Sequence, residues 1–196
     1  LATAIDLAAN LACGVYQAFW DGTMEAYFHA GFAARNGVIA ASLARGGAVT
    51  SPVTMEGPNG YFQTFGGSTE NASDLTKDLG RQFSIMDITH KPFPACAANQ
   101  QSMLIASPLL SKHGISPKQI EKIVLKVAPS TLRVPGVPNL PPYRNMLQAQ
   151  MSHRFTVISS LLGKPVTTLA YFRDSYGDPE VAELAMRSEV VGDEGR

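Results

Sequence analysis

The chain is poor in cysteine, in net charge and in uninterrupted apolar stretches. Its two cysteines, Cys13 and Cys96, stand far apart in 196 residues, with no C-x-x-C pair and no histidine at ligand spacing. Neither a zinc site nor a disulfide framework is indicated, and a reducing, cytoplasmic setting is the expectation. With 16 Lys and Arg against 16 Asp and Glu, the formal net charge is zero. That removes the cationic excess that binding to nucleic acid or to an anionic membrane surface requires. The most apolar stretch, Leu1 to Trp20, is interrupted by Asp6, Asn10 and Gln17 and has no basic flank. It reads as a buried helix, not as a membrane span or signal segment.

What is present describes a globular protein. Hydrophobic residues make up 45% of the chain, enough to build a core, and no large net charge opposes folding. The first 50 residues hold more than half of the alanines and only five charged side chains, Asp6, Asp21, Glu25, Arg35 and Arg45. A surface helix of a small domain normally carries a polar face. The chain is therefore expected to be a piece of a larger protein whose remaining part covers these helices, either by association with that part or as a homodimer.

Periodicity and punctuation give a coarse map. A helix over residues 1–20 ends at Asp21-Gly22-Thr23, and a second runs from about His29 to Arg45. In the latter, Ala30, Ala33, Ala34, Gly37, Ala40, Ala41 and Ala44 form a stripe of small residues that suits close helix packing. Met55 to Gly67 (MEGPNGYFQTFGG) reads as a turn, a short aromatic helix and a glycine exit, followed by a polar, linker-like stretch, Ser68 to Gly80. Phe83, Ile85 and Ile88 suggest a strand leading into the proline-bracketed loop His90-Lys91-Pro92-Phe93-Pro94. A helix from about Ala98 to His113 ends at Gly114, with His113 placed to meet its last carbonyls, and Ser116-Pro117 opens a short helix. Ile123 to Val127 alternates as a half-buried strand does. Residues 129–142 hold five prolines and form a loop. Helices over 146–162, 166–176 and one opened by Asp178-Pro179 complete the chain. The predicted fold class is mainly α: part of a helical domain (residues 1–80), then a small α+β lid domain with following helices (residues 81–196).

Three segments, in this order and spacing, resemble the MmgE/PrpD family, which includes 2-methylcitrate dehydratase, cis-aconitate decarboxylase and related epimerases. They are Phe28 to Gly37 (FHAGFAARNG), Met55 to Gly67, and Lys91 to Cys96 (KPFPAC), with weaker similarity through Gln148 to Gly163 (QAQMSHRFTVISSLLG). Family members are more than twice this length. The resemblance implies the second part of their helical domain followed by the lid, that is, the C-terminal portion only. It also implies action on small di- and tricarboxylates without metal or organic cofactor, by removal of a proton or carboxyl group beside a carboxylate.

Such chemistry needs a fixed cation for the substrate carboxylate and for the enolate-like charge that develops, together with an acid and a base. Lys91 matches the lysine of the family's K-P-[YF]-P motif, and Pro92 and Pro94 stiffen its loop, so it is the first candidate for that cation. The alternative is a solvated lysine. His29 matches the histidine of an H-x-G-x-A-A motif at the expected start of a helix, where an imidazole stays neutral or a carboxylate docks; the alternative is a capping or packing role. In that motif, Gly31 is better explained by close packing. Cys96 occupies a position where family members vary between Glu, Cys and His, and its thiol is a candidate acid or base, or else a small core residue. Gln100 and His90 are candidate substrate contacts, and His153, mid-helix in the family-like segment, is either a pocket or a surface residue. Two departures stand out: many family members have Lys where this chain has Ala26, and His where it has Gln100. Both losses point to a changed substrate or to a non-catalytic homologue acting as a subunit or interaction module.

Overall fold

The computed structural model describes residues 1–195. They divide into two compact units, one formed by Leu1–Val15 with Tyr27–Thr89, the other by Tyr16–Ala26 with the chain from His90 onward.

In the first unit, α1 (Ala2–Asn10) stops well short of the expected 20 residues. The interruption runs through Gly14, whose φ of 111° lies in the left-handed region that only glycine enters without strain. The helix resumes as the short α2 (Gln17–Asp21), which belongs to the second unit. Contrary to expectation, α1 buries none of its residues. Helix α3 (Glu25–Arg45) begins one turn earlier than predicted, with Glu25 in its first turn opposing the helix dipole. Among the described residues, only Ala40 of the small-residue stripe is buried, and a methyl group added at Gly31 or Gly37 would meet nothing within 4 Å, so close packing within them explains neither glycine. The unit is tied by polar contacts. Asn36 Nδ2 donates to Leu11 O at 2.7 Å, while its Oδ1 accepts from Arg35 at 3.0 and 3.2 Å. Thr50 Oγ1 donates to Asp6 at 2.8 Å. Helix α4 (Tyr61–Gly66) follows a tightly wound loop and exits through Gly67, as its sequence implies. Residues 68–89 carry 3-10 turns at Ala72–Leu75 and Ser84–Asp87, the latter in place of the expected strand.

The second unit holds the core. A 3-10 turn (Ala97–Asn99) leads into α5 (Gln100–Ala106), and α6 (Leu109–His113) follows. The single helix expected here is broken at Pro108, which has no N–H to give to the turn before it. His113 is the last residue of α6, before the left-handed Gly114. Ser116 and Gln119 form a reciprocal capping box around the turn Pro117–Gln119. Strand β1 (Ile123–Val127) pairs in parallel with β2 (Ser188–Gly192), a strand that the apolar pattern does not predict. Between them come a 3-10 turn (Pro129–Arg133), α7 (Met146–Met151), α8 (His153–Leu161), α9 (Leu169–Ser175) and α10 (Pro179–Met186).

Ser152 splits the expected 146–162 helix: it ends α7, and its hydroxyl caps α8 by accepting from Phe155 N. Helix α8 is buried on nearly every side and packs against α5, α7 and α10. Its hydroxyls are satisfied inside the core: Ser160 donates to Met103 O at 2.8 Å, Thr156 to Ser152 O at 2.8 Å, and Ser159 accepts from Tyr171 at 2.9 Å. Phe155, fully buried, packs edge-on to Tyr143 with centroids 5.2 Å apart and lies about 6 Å from Tyr171 and Phe172. Among the described residues no helix is long and apolar enough to cross a membrane.

Candidate functional site

The proline-rich loop His90–Cys96 carries most of the predicted chemistry, and its form follows from what its backbone cannot do. Pro92 and Pro94 have no N–H to donate, so the loop depends on outside groups to satisfy its carbonyls. Two glutamines supply them. Gln100 Nε2 lies 3.1 Å from Phe93 O and 3.2 Å from both Ala95 O and Cys96 O, while its Oε1 accepts from Phe93 N at 3.1 Å. Gln150 Nε2 donates to Pro94 O at 2.6 Å, and Gln150 O accepts from Cys96 N at 3.0 Å. Every carbonyl from Phe93 to Cys96 thus has a donor. Phe93 and Ala95 point into the core.

Above this loop lies an open cleft of about 510 Å³, walled by Lys91 to Cys96 on one side and by Leu147, Gln150, Met151 and Thr167 on the other. Lys91 is exposed and turns its Nζ toward Ala95 O at 3.4 Å. Cys96 is half-buried and lines the same cleft. The structure therefore brings Lys91 and Cys96 together, with Gln100 beneath them. Gln100 directs its amide into the loop backbone, a fixed structural task for the position where many family members carry His. His90 is exposed at the start of the loop and is not among the residues that wall the cleft.

His29 belongs to the first unit. It sits in the second turn of α3 and does not open the helix, so the helix-end argument for a neutral imidazole or a docked carboxylate no longer applies. Its ring is packed 3.4 Å from where a side chain on Gly14 would begin. Ala26 stands one turn earlier on the same helix.

Behind the cleft stands a polar strut of which the sequence singles out only His153, and that residue opens α8 inside the core and lies neither mid-helix nor at the surface. Asn99, fully buried, places Nδ2 3.3 to 3.4 Å from the carbonyls of Gln150, Met151 and Ser152, where α7 ends. That orientation leaves Asn99 Oδ1 facing His153 Nδ1 at 2.9 Å, so Nδ1 carries the proton and donates. His153 is also fully buried, and its Nε2 has no hydrogen-bond partner among the described residues. Burial, reinforced by the neighbouring Arg154 charge, pushes its pKa down to about 4. The available signal was the run of polar side chains, Q-A-Q-M-S-H, inside a segment that otherwise reads as core. Among the described residues no group of His, Cys, Asp or Glu gathers where it could hold a metal ion.

The class defined by this arrangement is a mainly helical protein with a small parallel sheet and a lysine-bearing, proline-stiffened loop at a cleft. The MmgE/PrpD N-terminal domain model matches residues 1–73, and the MmgE/PrpD C-terminal domain model matches residues 93–195. The chain belongs to the MmgE/PrpD family, which includes lyases and dehydratases. Both domain models match, which corrects the expectation that only the C-terminal portion is represented. None of the curated proteins matches the chain.

Proposed function

We propose that this chain is part of a cofactor-independent lyase or isomerase of small di- or tricarboxylates, of the 2-methylcitrate dehydratase type. The observation that carries the reading is the placement of Lys91: an ammonium on a loop whose carbonyls from Phe93 to Cys96 are all bonded, at the edge of a cleft large enough for a small polycarboxylate. In a dehydration, a base takes the proton beside a substrate carboxylate, negative charge spreads onto that carboxylate, and the neighbouring hydroxyl leaves as water after receiving a proton. Lys91 grips the carboxylate and opposes the growing charge on it. Cys96, on the same wall, is the proposed partner for a proton transfer. The test uses the complete protein, assayed with 2-methylcitrate, citrate and cis-aconitate. Lys91→Ala is expected to raise KM and to lower kcat by roughly 10²- to 10³-fold, with only partial recovery in Lys91→Arg, whose planar fork does not replace a compact ammonium. Unchanged kinetics in Lys91→Ala, with loss of turnover in Cys96→Ala or His29→Ala, would overturn the lysine assignment.

The second reading, a non-catalytic homologue acting as a subunit or interaction module, is favoured by Gln100. Its amide is engaged by loop carbonyls and does not transfer protons at neutral pH. Absence of turnover of all three acids by the intact wild-type protein would support that reading.

A further inference from the structure

We propose that Gln150 is a positioning residue for Lys91, an inference that rests on the reading of Lys91 as the carboxylate ligand. Gln150 holds the loop at two points, on the successive peptide units that flank Ala95. Its side chain donates to Pro94 O at 2.6 Å, and its main-chain oxygen accepts from Cys96 N at 3.0 Å. Between those points lies Ala95, whose carbonyl is the group Lys91 Nζ meets at 3.4 Å. The orientation of that carbonyl sets where the ammonium rests; Gln100 Nε2 meets it directly at 3.2 Å, and Gln150 holds the main chain on either side of it. Gln150 also walls the cleft while remaining only 8% exposed, so its bond to Pro94 O is sheltered from water.

Gln150 is itself anchored. The carbonyls at the end of α7, its own included, face Asn99 Nδ2, and Asn99 is locked by His153 Nδ1 at 2.9 Å. The chain of support runs from α8 through Asn99 to Gln150 and on to the lysine loop. An amide is the side chain this place calls for. A carboxylate would set a negative oxygen against Pro94 O, and a thioether of equal length would fill the space without donating. A misplacement of about 1 Å in a group that must meet a reacting carboxylate costs up to about 10²-fold, so the strut bears directly on activity.

The test uses the complete protein in wild-type, Lys91→Ala, Gln150→Met and Gln150→Glu forms, with tricarballylate as an unreactive tricarboxylate probe. Two quantities are read at about pH 5.5 and about pH 8: the calorimetric Kd, and the hydrogen-exchange protection of the Cys96 and Val157 amides. Gln150→Met is expected to weaken tricarballylate binding about 10-fold relative to wild type at each pH and to lower Cys96 protection, with Val157 unchanged. Gln150→Glu is expected to behave like Gln150→Met at the higher pH. At the lower pH it should return toward wild type, because a sheltered carboxyl is raised in pKa and, once protonated, donates to Pro94 O as the amide does. A merely space-filling role for Gln150 would not give that pH-dependent rescue. Unchanged Cys96 protection in Gln150→Met overturns the proposal. So does lost protection with unchanged Kd while Lys91→Ala abolishes binding, for Gln150 would then hold the loop without positioning the lysine. Absence of wild-type binding, or equal Kd for wild type and Lys91→Ala, refutes the carboxylate-ligand reading itself and leaves Gln150 no site to serve.

Discussion

The two units of this chain solve the same problem to different degrees. Among the described residues, every buried hydrophobic residue except Ala40 lies in the second unit, where α8 is enclosed and the side chains of Phe155, Phe172, Met103 and Ile158 are fully buried. The first unit leaves Phe28, Phe32, Val38, Ile39 and Leu43 between 40% and 69% exposed along α3, and its ties are hydrogen bonds such as Asn36 to Leu11 O and Thr50 to Asp6. Hydrogen bonds of this kind contribute about 1 kcal/mol each, whereas a fully buried large apolar side chain contributes about 1.5 to 3 kcal/mol. A similar apolar fraction in the two units therefore predicts unequal stability, and the lysine loop is anchored on the unit that buries more.

The largest expected consequence is in hydrogen exchange of the 196-residue chain. Amides of α8 should exchange at least about 10³-fold more slowly than those of α3, because local opening of α3 exposes little that is not already exposed. Equal protection in the two helices would erase the contrast. Next in size is a pair of truncations. Phe155→Ala should cost roughly 3 to 5 kcal/mol in chemical denaturation, and Phe32→Ala, at a 40% exposed site where Arg35 lies 5.1 Å over the ring, less than about 1 kcal/mol. Comparable costs would show that α3 is better packed than its exposure indicates. The same exposed face predicts self-association of this chain at raised concentration, to be read by sedimentation; a monomer at every concentration would count against it.

His153 gives a smaller effect with a defined pH window. As pH falls, the unfolded chain protonates this side chain near 6.5, whereas the folded chain resists until about 4. Within that window the unfolded state binds more protons, so stability is fully present above it and declines by about 3 kcal/mol on going down through it. His153→Leu should flatten the profile, and a wild-type stability independent of pH across the window would contradict the burial of a neutral imidazole. The smallest effect is expected at Lys164. It pairs with Asp178 at 3.0 Å and Glu180 at 2.8 Å, mainly through the Glu180 bond that raises its pKa, yet Lys164→Ala should cost no more than about 1 kcal/mol because the pair is partly open to solvent.

What the sequence made legible was local. Ser116-Pro117 and Asp178-Pro179 name their turns because cap, proline and first-turn bonds lie within four residues; Asp178 accepts from Glu180 N and Val181 N. The K-P-F-P loop was readable for the same reason, since proline fixes its own dihedral. Misreadings arose where a distant partner decided the outcome. Strand β2, five residues with a central Val pair, exists because β1 lies beside it, with Leu125 opposite Val190. Phe83, Ile85 and Ile88 had the apolar spacing of a strand, but all are exposed and the segment closes into a 3-10 turn. Breaks at Gly14, Pro108 and Ser152 carried breaker residues that apolar periodicity on either side outweighed. At the candidate site, Lys91 and Cys96 are named by their motif, and both line the same cleft. The role of Gln150 depends on a loop 56 residues away in sequence, a relation that no local pattern encodes.

The most direct test of the central claim is a crystal structure of the complete protein with tricarballylate. The account predicts a carboxylate of the probe in the cleft walled by Lys91, Cys96 and Met151, within about 3.2 Å of Lys91 Nζ, with the Gln150 to Pro94 bond intact. Full occupancy of the probe at a site that Lys91 does not touch would contradict it.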